Sequence, residues 1–248
     1  MKNLIPCILL CSSFIFACKK DTTAPIPSPK EKGVVYEDSV SFTLNGKAYD
    51  IDYKNEEGVG NRQFNLKPSS TPIEGLKVAR TSGGYYWYGS QDSILCDYLV
   101  GFFLNTYDGN IKFSFSKKYK TDQLKKDLHL WVPDDITDIL KVGKHSFATD
   151  FSREITLDGV SIEAYLKGID GTLTSYIPGN SILTPTSLTK EIQNNSVFEI
   201  TRLQKTDTGL YIVEAKFELN LFDKNEKLYR VENGFLRIVS RLKSPWAI

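Results

Sequence analysis

The sequence predicts a mainly β protein: an antiparallel β-sandwich with one large or two small lobes and a short helical insertion near residues 121–142. Apolar and polar residues alternate with a period of two, most regularly over 211–221. Asn45-Gly46 and Asp158-Gly159 separate alternating runs, and both dipeptides favour tight hairpin turns. Glycines and other turn residues recur about every eight to twelve residues, which is the spacing of a sandwich.

The first seventeen residues have the layout of a secretory signal peptide. Lys2 supplies a positive start, residues 4–16 are mostly apolar, and Ala17 precedes Cys18. The apolar run is shorter than the roughly 20 residues of a membrane-spanning helix. Residues 15–18, IFAC, resemble the lipobox of bacterial lipoproteins, with bulky Phe16 where a small residue is commoner. The resemblance implies cleavage after residue 17 and a lipid on Cys18. An ordinary signal followed by a chance cysteine is the alternative.

Residues 18–38 are predicted to be the lipidated cysteine and a proline-rich tether. Pro25, Pro27 and Pro29 alternate with other residues, and such a segment favours extended polyproline II. The β-sandwich domain is predicted to occupy residues 39–248, and a boundary between two lobes is considered near 145–155.

Charge and cysteine content narrow the function classes. Removing residues 1–17 takes away Lys2 and leaves 30 basic and 30 acidic residues. This balance argues against a nucleic-acid partner, which would require a basic surplus. Cys7 and Cys11 would leave with the signal. If Cys18 carries lipid, Cys96 has no partner for an internal disulfide, and its apolar surroundings predict a small core residue.

The N-terminal half predicts several strands in order. Val40, Phe42 and Leu44 alternate before Asn45-Gly46, and the turn pairs Phe42 with Tyr49 and Val40 with Ile51. Further strands are predicted around Phe64/Leu66 and Leu76/Val78, over a long central run at 94–104, and at 111–115.

The helical insertion is predicted from two short patterns. Leu124, Leu128 and Trp131 share one helical face, with Thr121 or Asp122 as the cap and Pro133 as the stop. A second helical turn contains Ile136, Ile139 and Leu140, starts at Asp134 or Asp135, and ends at Gly143. The spacing of the acids Asp134, Asp135 and Asp138 does not fit a calcium-binding loop, so we interpret them as helix-start acids.

The C-terminal half predicts more hairpins. Across Asp158-Gly159, Leu157 is expected to meet Val160 and Ile155 to meet Ile162. Strands follow at 172–177, 197–204 and 211–221. Two final strands are predicted at 228–231 and 235–242, with Asn233-Gly234 between them.

Four consecutive aromatic residues, Tyr85, Tyr86, Trp87 and Tyr88, form the candidate ligand-binding stretch. On a strand, alternate residues point to opposite faces, so two of the four would leave the core. Exposed aromatic rings beside Gly83, Gly84 and Gly89 could stack on sugar rings or contact apolar ligands. The alternative is structural, because tyrosine and tryptophan are good strand formers.

Two segments give the chain its wider resemblance. SFTLNGKAYD at 41–50 and AKFELNLFD…VENGFLRI at 215–238, together with the anchor and tether, resemble Bacteroidota envelope lipoproteins of unknown function built on β-sandwiches. The resemblance implies outer-membrane placement and implies no catalytic residues. That group also O-glycosylates a short Asp-Ser/Thr motif, which implies candidate sites at Thr22, Ser39 and Ser93.

No motif for catalysis, metal binding or a cofactor is found around the two histidines, His129 and His145. We therefore expect an outer-membrane lipoprotein acting as a non-catalytic ligand-binding module, with a glycan as the favoured ligand. A structural or assembly subunit that docks on an envelope protein is the alternative. A hydrolase without a recognisable motif is the second alternative. The expected partners are the membrane, through the lipid on Cys18, and a glycan or envelope protein.

Overall fold

A computed structural model describes residues 36–50, 62–68, 93–104, 109–127, 130–152, 157–178 and 186–242. Within these ranges the protein is mostly β, and its main feature is a large, curled antiparallel sheet of eleven strands. The architecture is of the β-sandwich type, so the predicted fold class is confirmed.

The strands range from the two residues of β8 to the thirteen of β13. Their bounds are β1 Ser39–Leu44, β2 Lys47–Asp50, β3 Arg62–Pro68, β4 Ser93–Leu104, β5 Gly109–Lys120, β6 Leu124–Asp127, β7 Leu130–Pro133, β8 Gly143–Lys144, β9 Gly159–Leu166, β10 Thr172–Thr174, β11 Val197–Lys205, β12 Tyr211–Phe222 and β13 Leu228–Ser240. The strand order is β2-β1-β13-β12-β10-β9-β5-β4-β3, with β11 on β12 and β8 on β11, while β6 and β7 form a separate ribbon. Within the described ranges, short 3-10 helices lie at Thr121–Gln123, Ile136–Leu140 and Lys190–Gln193.

Aromatic residues join the two halves of the curled sheet in the core. The ring of Phe113 on β5 lies 5.5 Å from that of Phe217 on β12 and 6.3 Å from that of Phe198 on β11. The rings of Phe198 and Phe217 stack at 5.8 Å. In the strand order, β10 and β9 lie between β12 and β5. Ring contacts between β5 and β12 therefore show that the sheet curls and that its inner face packs against itself. Cys96 is fully buried in this core, as predicted, and burial raises the pKa of its thiol well above the ordinary value.

The first hairpin has the predicted register. Phe42 lies opposite Tyr49, and their rings stack at 5.1 Å. The predicted partner of Val40, Ile51, lies outside the described residues, as does the strand predicted around Leu76/Val78. The run at 94–104 is the interior strand β4, with β3 on one side and β5 on the other.

The first part of the predicted helical insertion is wrong. Leu124–Asp127 and Leu130–Pro133 pair as the antiparallel ribbon β6–β7, and Thr121–Gln123 makes only a 3-10 turn. Proline disfavours α conformation in the residue before it, and aromatic and β-branched residues such as Trp131 and Val132 favour strands. The second part is confirmed as the 3-10 helix Ile136–Leu140, whose start is capped by the side chain of Asp135.

The predicted hairpin at Asp158-Gly159 is also wrong where the structure describes it. Gly159 opens β9 opposite Ser116 of β5, and the backbone of Val160 bonds to Ser146 and Ala148 rather than to Leu157. A Cβ on Gly159 would lie 2.2 Å from the carbonyl oxygen of Ser146. The glycine therefore permits a close chain approach instead of a turn. Ile155 lies outside the described residues.

The two predicted final strands are one continuous strand, β13. Asn233 has a positive φ of 54°, and the registers with β1 and with β12 both shift at this point. Asn233-Gly234 therefore forms a bulge inside a strand. The strands predicted at 197–204 and 211–221 are found as β11 and β12, while the strand predicted at 172–177 is shorter than expected and ends at Thr174 as β10. The strands on both sides of residues 145–155 belong to the same sheet.

Candidate ligand-binding face

The structure places only two of the predicted site residues. Ser39 is half-buried at the first position of β1, and Ser93 is buried at the first position of β4. Cys18, Thr22 and Tyr85–Tyr88 lie outside the described residues. Lipidation, glycosylation and ligand binding at these positions stay predictions.

A different aromatic pair is exposed on the outer face of the sheet. Phe103 on β4 lies opposite Asn110 on β5, Asn110 lies opposite Tyr165 on β9, and Tyr165 lies opposite Thr172 on β10. Residues in register on neighbouring strands point to the same face. We call these four residues, Phe103, Asn110, Tyr165 and Thr172, the aromatic row.

The two rings of the aromatic row are accessible to solvent. Phe103 is 55% exposed and Tyr165 is 52% exposed, although both lie on long, otherwise well-buried strands. They are separated by two strand spacings, which is about 9–10 Å across the sheet. The amide of half-buried Asn110 lies between them, and the exposed hydroxyl of Thr172 lies beyond Tyr165. The row therefore alternates apolar ring faces with hydrogen-bonding groups.

In the next row of the same face, a charged pair lies beside the rings. Lys112 Nζ lies 3.1 Å from Glu163 Oε2, and the hydroxyl of Tyr176 donates a 2.6 Å hydrogen bond to Glu163 Oε1. Burial, followed by the negative charge of Glu163, raises the pKa of Tyr176, so the phenol remains a donor. Both oxygens of Glu163 are thus engaged within the face.

A shallow cavity opens next to Phe103. Its volume is about 240 Å³, and its walls are Gln63, Leu99, Gly101, Phe102, Phe103, Asn110 and Lys112. Amide, ammonium and aromatic groups therefore meet at one end of the aromatic row.

Farther along the same face, the polar residues are buried and bonded to each other. Asn65, Asp97 and Ser116 lie in register on β3, β4 and β5. Asn65 Nδ2 donates to Asp97 Oδ2 at 3.3 Å, and Ser116 Oγ lies 3.5 Å from Asp97 Oδ1. This internal pairing is typical of a structural network.

The described part of the chain does not bring together a catalytic constellation. His129 lies outside the described residues, and Nε2 of His145 lies 2.7 Å from the carbonyl oxygen of Lys141. Asp138 is held by Lys117 and Lys141, and Asp134 pairs with Lys125. No group of three His, Cys, Asp or Glu in the described ranges could hold a metal ion.

Sequence reasoning missed Phe103 and Tyr165, although a pattern for Phe103 exists. Phe102 and Phe103 are adjacent on a strand, so they must point to opposite faces. Phe102 is buried in the core, and Phe103 is on the outside. The continuous apolar run at 94–104 hides this alternation, whereas the four adjacent aromatic residues at 85–88 make it visible. Tyr165 sits in a mixed strand, where nothing in the sequence marks it as the neighbour of Asn110.

Comparisons with known proteins give no relatives: no protein-family model matches the chain, and neither the curated proteins nor the solved structures contain a match. Among the described residues, no helix has the length and apolar character needed to cross a membrane.

Proposed function

We propose that this protein is a lipid-anchored outer-membrane lipoprotein whose β domain binds a glycan without catalysis. The anchor rests on the signal layout before Cys18, and the proline-rich tether would hold the domain in the aqueous phase. The observation that carries the binding function is the pair of exposed rings, Phe103 and Tyr165, in register on one face.

The chemistry of the aromatic row suits a sugar chain. A sugar ring has an apolar face that can pack on an aromatic ring and a hydroxyl edge that needs hydrogen-bond partners. Phe103 and Tyr165 supply ring faces, while Asn110 and Thr172 supply an amide and a hydroxyl in the same row. Because the row crosses the strands, we expect the glycan to lie perpendicular to β4, β5 and β9.

Binding without catalysis is favoured over hydrolysis by the carboxylate next to the row. Glycoside hydrolysis uses two carboxyl groups flanking the scissile bond. Glu163 lies in the adjacent row, where Lys112 and Tyr176 occupy its two oxygens. A carboxylate held in this way is suited to orienting neighbours rather than to transferring protons.

Binding is tested on a glycan array with the full-length protein and three variants. Phe103→Ala and Tyr165→Ala should each weaken glycan retention and leave the melting temperature nearly unchanged, because both rings are already exposed. Leu228→Ala is the matched control, since Leu228 is 51% exposed on β13 and lies outside the row. If the wild type retains no glycan, or if the control loses as much binding as the two row variants, the glycan proposal is wrong.

The anchor is tested separately by metabolic labelling with a fatty-acid analogue. The wild type should take up the label, and Cys18→Ala should not. An unlabelled wild type would contradict lipid anchoring and would leave the glycan experiment unaffected. The assembly-subunit alternative would be favoured by a different result. In that case the wild type retains no glycan but co-purifies with envelope proteins, and Phe103→Ala loses those proteins.

A further inference from the structure

The cavity beside Phe103 lies where β4 lacks a side chain on its outer face. Leu99, Gly101 and Phe103 occupy alternate positions of this strand, so they share that face. The Cα atom of Gly101 is about 7 Å from those of Leu99 and Phe103, and a hollow opens between the two larger side chains. We call this cavity the Gly101 hollow. A glycine inside a strand often marks a place where a ligand approaches the backbone closely.

The size of the Gly101 hollow suits a substituent of a ligand rather than a whole ligand. Its volume is about 240 Å³. Pockets that enclose a complete small molecule measure about 300–1,000 Å³. Phe103 belongs both to the hollow and to the aromatic row. A sugar ring packed on Phe103 can therefore direct one of its substituents into the hollow.

Two side-chain amides border the Gly101 hollow. Gln63 reaches it from β3, and Asn110 reaches it from β5. Gln63 is exposed and Asn110 is half-buried, and within the described ranges neither side chain makes a hydrogen bond. Each amide can both donate and accept. The hollow therefore offers hydrogen-bonding groups next to the apolar surfaces of Leu99 and Phe103.

The charge on the wall of the Gly101 hollow is already paired. Among the described residues of this wall, Lys112 alone is charged, and it lies opposite Gly101 on β5. Its Nζ lies 3.1 Å from Glu163 Oε2. An acidic group in the hollow would compete with Glu163 for Lys112, and a cationic group would be repelled by Lys112. The hollow therefore favours an uncharged polar group.

We propose that the glycan bound at the aromatic row carries acetamido groups and that one of them occupies the Gly101 hollow, an inference that rests on the proposed glycan-binding function. An acetamido group is uncharged and combines a methyl group, a carbonyl acceptor and an N–H donor. Its methyl group would pack over Gly101 against Leu99, and its amide would bond to Asn110 beside Phe103. A hydroxyl group could form hydrogen bonds there but would leave the apolar wall in contact with water.

The proposal is tested with the full-length protein on an array of matched glycan pairs. The members of a pair differ only in bearing an acetamido or a hydroxyl group at carbon 2, as chitotetraose and cellotetraose do. Pairs of glucose and of galactose configuration are included. The acetamido member of at least one pair should bind about tenfold more tightly, as expected from one buried methyl group and one hydrogen bond. Calorimetric titration of that pair measures the ratio of the two Kd values.

The outcomes on the array separate this inference from the proposed function. If glycans are retained but no pair shows a preference for its acetamido member, the acetamido inference is wrong and glycan binding stands. If no glycan is retained, both proposals are wrong.

Two variants test the Gly101 hollow itself, with the ratio of the two Kd values as the readout. Gly101→Ala places a methyl group where that of the acetamido group is expected, so the ratio should fall to about one. Asn110→Ala removes the amide and should lower the ratio about fivefold. Thr172→Ala is the matched control, because Thr172 lies beyond Tyr165 in the aromatic row and away from the hollow. It should weaken both sugars equally and keep the ratio.

Melting temperatures show whether each variant is folded. If Gly101→Ala is destabilised, Asn110→Ala decides the test by itself. A wild-type ratio in Asn110→Ala, or a ratio that falls equally in Thr172→Ala, would show that the acetamido group is not recognised in the Gly101 hollow.

Discussion

Strand β1 ends in two different ways. At its C-terminal end, Asn45 and Gly46 have φ values of 50° and 79°, and the chain turns directly into β2. Across this turn Phe42 stacks on Tyr49, a contact between residues that are close in the sequence. At its N-terminal end, the structure is held by residues that are distant in the sequence.

The distant contacts converge on the buried side chain of Asp38. Its Oδ2 pairs with Arg62 at the start of β3, and its Oδ1 accepts a 2.6 Å hydrogen bond from the amide of Val239 near the end of β13. Arg62 also donates to the carbonyl of Val239 at 3.0 Å. These partners are 24 and 201 positions from Asp38. We call the three residues the Asp38 clasp.

The chain enters the domain beside the Asp38 clasp. The ring of Tyr36 lies 4.9 Å from the guanidinium of Arg202 and 5.6 Å from that of Arg237. The turn at Asn45-Gly46 is therefore specified locally, whereas the Asp38 clasp exists only after β1, β3 and β13 have assembled.

The largest expected effect comes from breaking the junction. Arg62→Met should lower the free energy of unfolding by about 3–5 kcal/mol, because it leaves the Asp38 carboxylate buried without its ionic partner. The measurement is urea unfolding of the full-length protein. Lys112→Met is the control: it breaks the exposed pair with Glu163 and should cost at most about 1 kcal/mol. Equal costs for the two variants would contradict a special role for the clasp.

The next effect concerns the bulge at which β13 passes β1 and β12. Gly234→Ala should cost about 1–3 kcal/mol, because a Cβ would lie 2.3 Å from a ring carbon of Phe217 and 2.5 Å from its carbonyl oxygen. Urea unfolding again measures the change. The same substitution in a Phe217→Leu background should cost less, since the smaller side chain relieves the ring contact. If Gly234→Ala cost as much in the Phe217→Leu background as in the wild type, the strain would come from the contact with the Phe217 carbonyl oxygen and not from the ring.

A smaller effect is expected at the hairpin. Gly46→Ala should cost about 1 kcal/mol, because nothing lies within 4 Å of the new Cβ and only the positive φ opposes it. Gly46→Asn is the matched variant, since asparagine tolerates this conformation better. If alanine were as well tolerated as asparagine, the turn conformation would not determine the stability of this end of β1.

The same contrast explains how much of the molecule could be predicted from its sequence. The pairing of Phe42 with Tyr49 and the alternation over 211–221 follow from local turn chemistry and side-chain period. The roles of Gly159 and Gly234 do not, because each glycine is required by a distant residue, Ser146 or Phe217.

In the candidate site too, one residue could be predicted from local sequence and another could not. Adjacent Phe102 and Phe103 must face opposite sides of a strand, so an exposed ring could have been predicted there. The arrangement of Tyr165 beside Asn110 depends on strand order and long connections. Single-sequence patterns carry no information on such neighbours.

The smallest expected effect is a pH dependence that distinguishes Asp38 from Asp138, which is held by two lysines. Burial raises the pKa of Asp38 above its ordinary value of 3.8, although Arg62 and the amide of Val239 oppose the shift. The folded state therefore holds this proton more tightly than the unfolded state. Its contribution to stability is complete below pH 3.8 and declines as the pH rises through the folded pKa.

Asp138 should show the opposite sign. Burial acts to raise its pKa, but the bonds from Lys117 and Lys141 outweigh burial and lower it, so its contribution is present at neutral pH and is lost as the pH falls through the folded pKa. Urea unfolding between pH 3 and about pH 7 would compare the wild type with Asp38→Asn and Asp138→Asn. The stability of the wild type relative to Asp38→Asn should fall as the pH rises, and relative to Asp138→Asn it should rise. The same sign for both differences would mean that the ion pair with Arg62, and not burial, dominates at Asp38.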